Sequence, residues 1–175
     1  MLIFSSAYSY SSVLVDMPND IAKKVIAWGK KNIKDSDLFP EEEFSGREDH
    51  IHITVLYGLF LKTKSKIEEL LSNYGDIDIK LGKISKFSQE DHDVIKIDVK
   101  SPQLHRLHEF IASSLKNNDK HPKYIPHVTI AYVKKDSCNH LIDNDEFSKI
   151  EFNINSVLFS NKDGDKNKIE IATKE

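Results

Sequence analysis

One cysteine in 175 residues, Cys138, excludes a disulfide framework, a multi-cysteine zinc site and an iron–sulfur cluster. A lone thiol fits a reducing compartment, and the expected location is cytoplasmic. Six glycines and five prolines are too few for a collagenous or low-complexity chain. No run approaches 18 apolar residues, so no membrane span is expected. The start, MLIFSSAYSYSSVLVDM, lacks a basic leader region and alternates apolar with polar residues instead. Excess positive charge is missing too. The 25 Lys and Arg stand against 28 Asp and Glu, a formal net charge of -3. No bulk field exists to hold long duplex nucleic acid by its backbone. A small anionic ligand in a local pocket remains compatible with that balance.

What is present is a series of short apolar clusters at two periodicities. Alternation predicts a strand over 7–17. Pro18 ends it, and Asn19 or Asp20 is placed to cap a helix whose stripe is Ile21, Val25, Ile26, Trp28 and Ile33. Residues 35–50 form a long polar connection with an acidic run at 41–43. It reads as a solvated loop or as a flap over a site, with Arg47 its phosphate-seeking residue. A strand over 51–57 and a short helix over 65–73 come next. Strands over 76–88, with a bend at Gly82, and 94–99 form a hairpin. A helix begins at Pro102 with Ser101 as its cap and Leu104, Leu107, Ile111 and Leu115 inward. Strands are expected over 127–133, 147–160 and 168–172, the last two joined by a turn at 162–165. The whole chain, 1–175, is expected to be one domain with two pseudo-symmetric lobes.

Two tetrapeptides stand out: His52-Ile53-Thr54-Val55 and His127-Val128-Thr129-Ile130. Each reads His, β-branched, Thr, β-branched, and each lies in its own half of the chain. Residues i and i+2 of a strand share a face. His52 therefore projects with Thr54, and His127 with Thr129, while the branched residues point into a core. One such tripeptide is commonplace; two in matching contexts are a signal. Two imidazoles can act as general base and general acid near neutral pH. Two hydroxyls can donate to the oxygens of a phosphoryl group as charge builds there. No metal is required. His105 and His108 lie three apart on a helix, but the sequence offers no further ligand for zinc. No cofactor is expected.

The segments HITV at 52–55 and PHVTI at 126–130 resemble the two-histidine (2H) phosphoesterases, a superfamily that includes LigT-like 2'-5' RNA ligase and cyclic phosphodiesterase proteins. The longer run GREDHIHITVLYGL resembles phage and bacterial members. The resemblance implies an α+β fold, bilobal, with two antiparallel sheets forming a central groove and helices packed outside. It implies metal-free attack on a cyclic or 2'-linked nucleotide phosphodiester, with His52, Thr54, His127 and Thr129 catalytic. Some phage members degrade cyclic oligonucleotide defence signals, so a small nucleotide or short oligonucleotide is the expected partner. Oligomeric state is not legible. Two rival readings are a catalytically silent RNA- or nucleotide-binding module on the same fold and RNA 2'-5' end-joining.

Many members carry an Arg shortly after the second His-x-Thr; here the run is Ala131-Tyr132-Val133, with Lys134 beyond. Arg47, Lys123 or Lys134 is the candidate replacement. Tyr124 is a candidate for stacking a base. Tyr57 and Tyr132 each lie five residues after a motif histidine. Regular parity puts them in the core, and only a bulge would bring them to the substrate. His50 is expected at a loop edge, His92, His121 and His140 in solvent, and Trp28 in the core. Cys138 has no expected nucleophilic role.

Overall fold

A computed structural model describes residues 8–40 and 46–172. The acidic run at 41–43 and the start of the first expected strand, at residue 7, lie outside the described residues. The strands are β1 (Ser11–Asp16), β2 (Gly46–Arg47), β3 (His52–Leu59), β4 (Ile77–Ser88), β5 (His92–Lys100), β6 (His127–Lys134), β7 (Glu151–Ile154), β8 (Ser156–Ser160) and β9 (Lys166–Glu170). The helices are α1 (Asn19–Asn32), α2 (Ser65–Leu70) and α3 (Pro102–Ser114).

The pairings are antiparallel, in the order β7-β4-β5-β6-β3-β1-β8-β9, with β2 added to β6. The α+β expectation holds. The two expected sheets are two four-strand halves of one sheet. They meet at a single residue pair, Ile53 of β3 with Val128 of β6. By contrast, β5 and β6 pair along their length.

The expected strand over 147–160 is two strands. Beta7 pairs with β4 at one end of the order, and β8 pairs with β1 near the other. Only Asn155 separates them. A chain advances at most about 3.6 Å per residue, so the two ends of the sheet must lie close together. The sheet is therefore strongly curled. Gly75, just before β4, donates its amide to the carbonyl of Ile171, just after β9, across the same gap at 2.8 Å.

Each long helix arises from its apolar stripe and packs across the molecule. Ile21, Val25 and Trp28 of α1 are buried, and Trp28 meets Phe147 edge-on at 5.8 Å. Neither Asn19 nor Asp20 caps α1: Pro18 takes the cap position, with no side-chain hydrogen bond. Ser101 does cap α3, its Oγ accepting from the Leu104 amide at 3.1 Å. Alpha1 packs on β6, and α3 packs on β3 and β4. Each of these helices thus touches the histidine-bearing strand of the other half. Gly29 permits the α1 contact; a Cβ there would sit 3.1 Å from Ile130 Cγ2.

Candidate active site

The two His-x-Thr tripeptides lie on neighbouring antiparallel strands. Pairing Ile53 with Val128 runs His52 toward Thr129 and Thr54 toward His127. Ile53 and Val128 are fully buried, while the two histidines and two threonines are half-buried on the other face. The parity read from the sequence is the parity of the structure.

Both strands break that parity at the same point. Leu14 of β1 pairs with Thr54 and Val13 with Leu56, so Val55 is an extra residue. Lys96 of β5 pairs with Thr129 and Ile95 with Ala131, so Ile130 is its counterpart. Each bulge comes three residues after a histidine and switches the face on which the later residues of the strand project. Val55 and Leu56 are both buried, and so are Ile130 and Ala131. Tyr57 and Tyr132 are thereby taken out of the core. Tyr57 is 43% exposed, and Tyr132 is half-buried beside His92 at 6.2 Å. The core expectation for these tyrosines fails because the strands bulge.

The two imidazoles are held alike. His52 Nδ1 donates to the carbonyl of His50 at 2.7 Å, and His127 Nδ1 to the carbonyl of Ile125 at 2.8 Å. A carbonyl only accepts, so each Nδ1 carries the hydrogen and each Nε2 is the nitrogen left to exchange a proton. Burial depresses the pKa of both below the usual histidine value. For His52 the carbonyl bond opposes that shift, while positive charge from His50, Lys166 and His127 adds to it. For His127 the Ile125 carbonyl and the Asp98 charge oppose it, and Lys96 adds to it.

A cavity of about 380 Å³ opens on one side of this centre. Thr54, Tyr57, Phe87, Lys123, Tyr124 and His127 are among its lining residues; His52 and Thr129 are not. Tyr124 lies flat against His108, with centroids 4.1 Å apart and an interplanar angle of 0°. Its hydroxyl donates to the carbonyl of Thr54 at 2.8 Å. His108 Nδ1 donates to the carbonyl of Val55 at 2.7 Å, and its Nε2 lies 3.8 Å from Asp119 Oδ2. The two carbonyls at the β3 bulge are thus satisfied by side chains. At the β6 bulge, the carbonyl of Ile130 accepts from the backbone amide of Glu48 at 2.9 Å.

Of the candidate cations, Lys123 lines the cavity. Arg47 does not. Its guanidinium closes the end of α1, donating to the carbonyls of Gly29 and Ile33 and pairing with Asp35 at 2.7 Å. The Gly29 carbonyl lies in the last turn of α1, at the negative end of the helix dipole, which favours a cation there. Lys134 Nζ donates to the carbonyl of Ser36 at 2.7 Å. A cation that does border the motifs is Lys96, directly opposite Thr129, with Asp98 directly opposite His127. The Lys96 side chain is 5% exposed and bonds Asp98 at 2.7 Å and Ser85 at 2.6 Å. It also lies 4.4 Å from the centre of the Phe87 ring, which meets His127 edge-on at 4.9 Å.

Sequence reasoning missed Lys96, although a lysine and an aspartate alternating inside VIKIDV were its available signal. It also missed His50, which stacks on His52 at 5.0 Å and pairs with Asp16 at 3.0 Å. His92 is no solvent-facing loop residue either. It opens β5 and stacks on Phe39 at 4.7 Å. His121 and His140 are exposed, and Trp28 and Cys138 are buried. Among the described residues, no three His, Cys, Asp or Glu side chains cluster as a metal site would require. No helix among them is long and apolar enough to cross a membrane.

Comparison with known proteins bears on the fold and the family. No curated protein matches the chain. Among solved structures, TT0787 of Thermus thermophilus superposes with a TM-score of 0.65 at 12% identity, covering 95% of this chain and 100% of its own. E. coli LigT in apo form gives a TM-score of 0.60 at 16% identity, covering 92% of this chain and 93% of its own. E. coli LigT complexed with 3'-AMP gives 0.58 at 16% identity, with the same coverage. These likenesses speak for the fold. The 2'-5' RNA ligase superfamily model matches residues 39–166, a span holding both His-x-Thr motifs, and the chain therefore belongs to that superfamily of two-histidine phosphoesterases.

Proposed function

We propose that the chain is a metal-independent phosphodiesterase acting on a cyclic or 2'-linked nucleotide phosphodiester. The observation carrying this reading is the Ile53–Val128 pair, which sets two His-x-Thr tripeptides side by side in opposite directions. LigT, a protein of the same fold, is known in complex with 3'-AMP, which supports a nucleotide as ligand.

A 2',3'-cyclic phosphate would be opened in one balanced displacement. The Nε2 of one neutral imidazole takes a proton from water as the water oxygen bonds to phosphorus. The bond from phosphorus to one ribose oxygen breaks. The other imidazole, entering protonated, gives its proton to that leaving oxygen. The product is a phosphomonoester. Thr54 and Thr129 donate to the non-bridging oxygens, where negative charge grows. Lys96, ion-paired with Asp98, stands opposite Thr129 and is the candidate cation for the phosphoryl group. Lys123, Tyr124 and Tyr57 border the space for the nucleoside. An intracellular, cytoplasmic setting suits this substrate class.

The test is incubation of the purified protein with 2',3'-cyclic nucleotides, 2'-5' oligoadenylate and cyclic oligonucleotides, with product separation, before and after EDTA treatment. Turnover of at least one substrate that survives EDTA is expected. His52→Ala or His127→Ala should lower it by about 10² to 10⁴, with the double variant far from additive. An intact panel would favour a nucleotide-binding module, and loss restored by a divalent metal would overturn the metal-free mechanism.

A further inference from the structure

We propose a second nucleotide subsite outside the cavity, a stacking platform for the next base of a single-stranded oligonucleotide. It rests on the nucleotide reading above and extends it from a mononucleotide to an oligomer. Tyr57 belongs to the cavity wall, yet 43% of it faces solvent. From Tyr57 a run of aromatic rings leads away. Tyr10 meets Tyr57 edge-on at 5.7 Å, and Phe60 meets Tyr10 edge-on at 5.4 Å. Phe60 is 45% exposed, and Lys116 Nζ lies 5.1 Å from its ring centre.

This strip is built rather than incidental. Asn118 Nδ2 donates to the Tyr10 hydroxyl at 2.6 Å. The Asn118 amide donates to the carbonyl of Gly58 at 2.8 Å, so the 117–119 segment braces the strand end between Tyr57 and Phe60. Large apolar side chains left in solvent beside a ligand cavity mark a binding surface. Two features select its occupant. The strip is continuous with the cavity through Tyr57, and it carries cations, Lys116 at its far end and Lys123 at the cavity rim. Among the described residues, the one carboxylate lining the cavity, Asp119, is directed at His108. Exposed rings with interleaved lysines suit bases on a phosphodiester backbone, and stacking is tolerant of base identity.

The test compares adenosine 2',3'-cyclic phosphate with a trinucleotide ending in the same cyclic phosphate, for the unaltered protein, Phe60→Ala and Phe60→Tyr. The trinucleotide should be preferred in kcat/KM by about 5- to 100-fold. Phe60→Ala should remove that preference and change mononucleotide turnover by less than about twofold; Phe60→Tyr should retain it. Equal kcat/KM for the two substrates, or equal losses on both in Phe60→Ala, would overturn the subsite. A calorimetric titration with 3'-phosphorylated mono- and trinucleotide gives the same comparison without turnover. If neither cyclic phosphate is hydrolysed, the binding comparison decides alone, and tighter trinucleotide binding lost in Phe60→Ala supports the platform whatever the fate of the phosphodiesterase reading. Trinucleotide binding no tighter than mononucleotide binding rejects it.

Discussion

The hydroxyl of Tyr124 holds the carbonyl of Thr54, one of the two candidate phosphoryl donors, at 2.8 Å. A residue in a connecting loop thus fixes the backbone of a residue in the central strand. Burial raises the Tyr124 phenol far above its usual range, so it remains a donor at any working pH. Tyr124→Phe keeps the ring on His108 and deletes only that donor. It should cost about 1 kcal/mol of stability. If the bond positions Thr54, kcat should fall several-fold with little change in KM, as steady-state kinetics beside a denaturant titration would show.

The threonines separate transition-state from ground-state binding. Thr54→Val and Thr129→Val keep the branched shape and remove the hydroxyl. A donor aimed at developing charge is worth roughly 2–4 kcal/mol, so kcat should drop by about 10 to 10³. Thr→Ser should be milder at both sites. A rise in KM alone would mean that the hydroxyls merely hold substrate.

Both motif histidines have pKa values below the usual 6.5, chiefly from burial. The unfolded chain therefore binds more protons than the folded one between the folded values and about 6.5. Stability from this source is fully present above that point and is lost as pH falls through the folded values. Urea unfolding at pH 7.5 and pH 5 should show the loss, and His52→Asn with His127→Asn should flatten it. The acidic limb of the kcat/KM profile should likewise lie below pH 6.5.

Gly58 has φ of +108°, and a Cβ there would meet the Asn118 carbonyl carbon at 3.0 Å and the Asp119 amide nitrogen at 3.1 Å. Neither backbone atom can rotate away. Gly58→Ala should cost at least about 2 kcal/mol and lower the melting temperature. Asp119, brought to His108 by this segment, should move with it. By contrast, Gly75→Ala, with a similar φ of +115° but open space around it, should cost less.

The site was legible where local rules suffice. Parity placed His52 with Thr54 and His127 with Thr129, and Pro102 with Ser101 announced α3. Tyr57 and Tyr132 were misplaced because a bulge leaves no mark in an alternating apolar pattern: Val55-Leu56 and Ile130-Ala131 read as ordinary core. Arg47 looked available for phosphate because nothing local shows that the end of α1 faces it. The alternating Lys and Asp of VIKIDV mark Lys96 as unusual, but its significance comes from Thr129, which lies across a strand pairing. The break at Asn155 was hidden for a similar reason. Strand character continues on both sides, and only the choice of partner changes.

The order of strands also has a consequence for how the chain is made. The half bearing His127 is assembled mainly from sequence neighbours, β4, β5 and β6. The half bearing His52 places β1 against β8, joining residues 12–14 to residues 158–160. A nascent chain leaving the ribosome thus carries β1 with one flank unpaired until residues 158–160 emerge. Closing so long a loop is slow, and an open apolar strand edge invites association with other chains. The emergence of β8, and not the folding of any single hairpin, should be the moment at which β1 is first paired on both flanks.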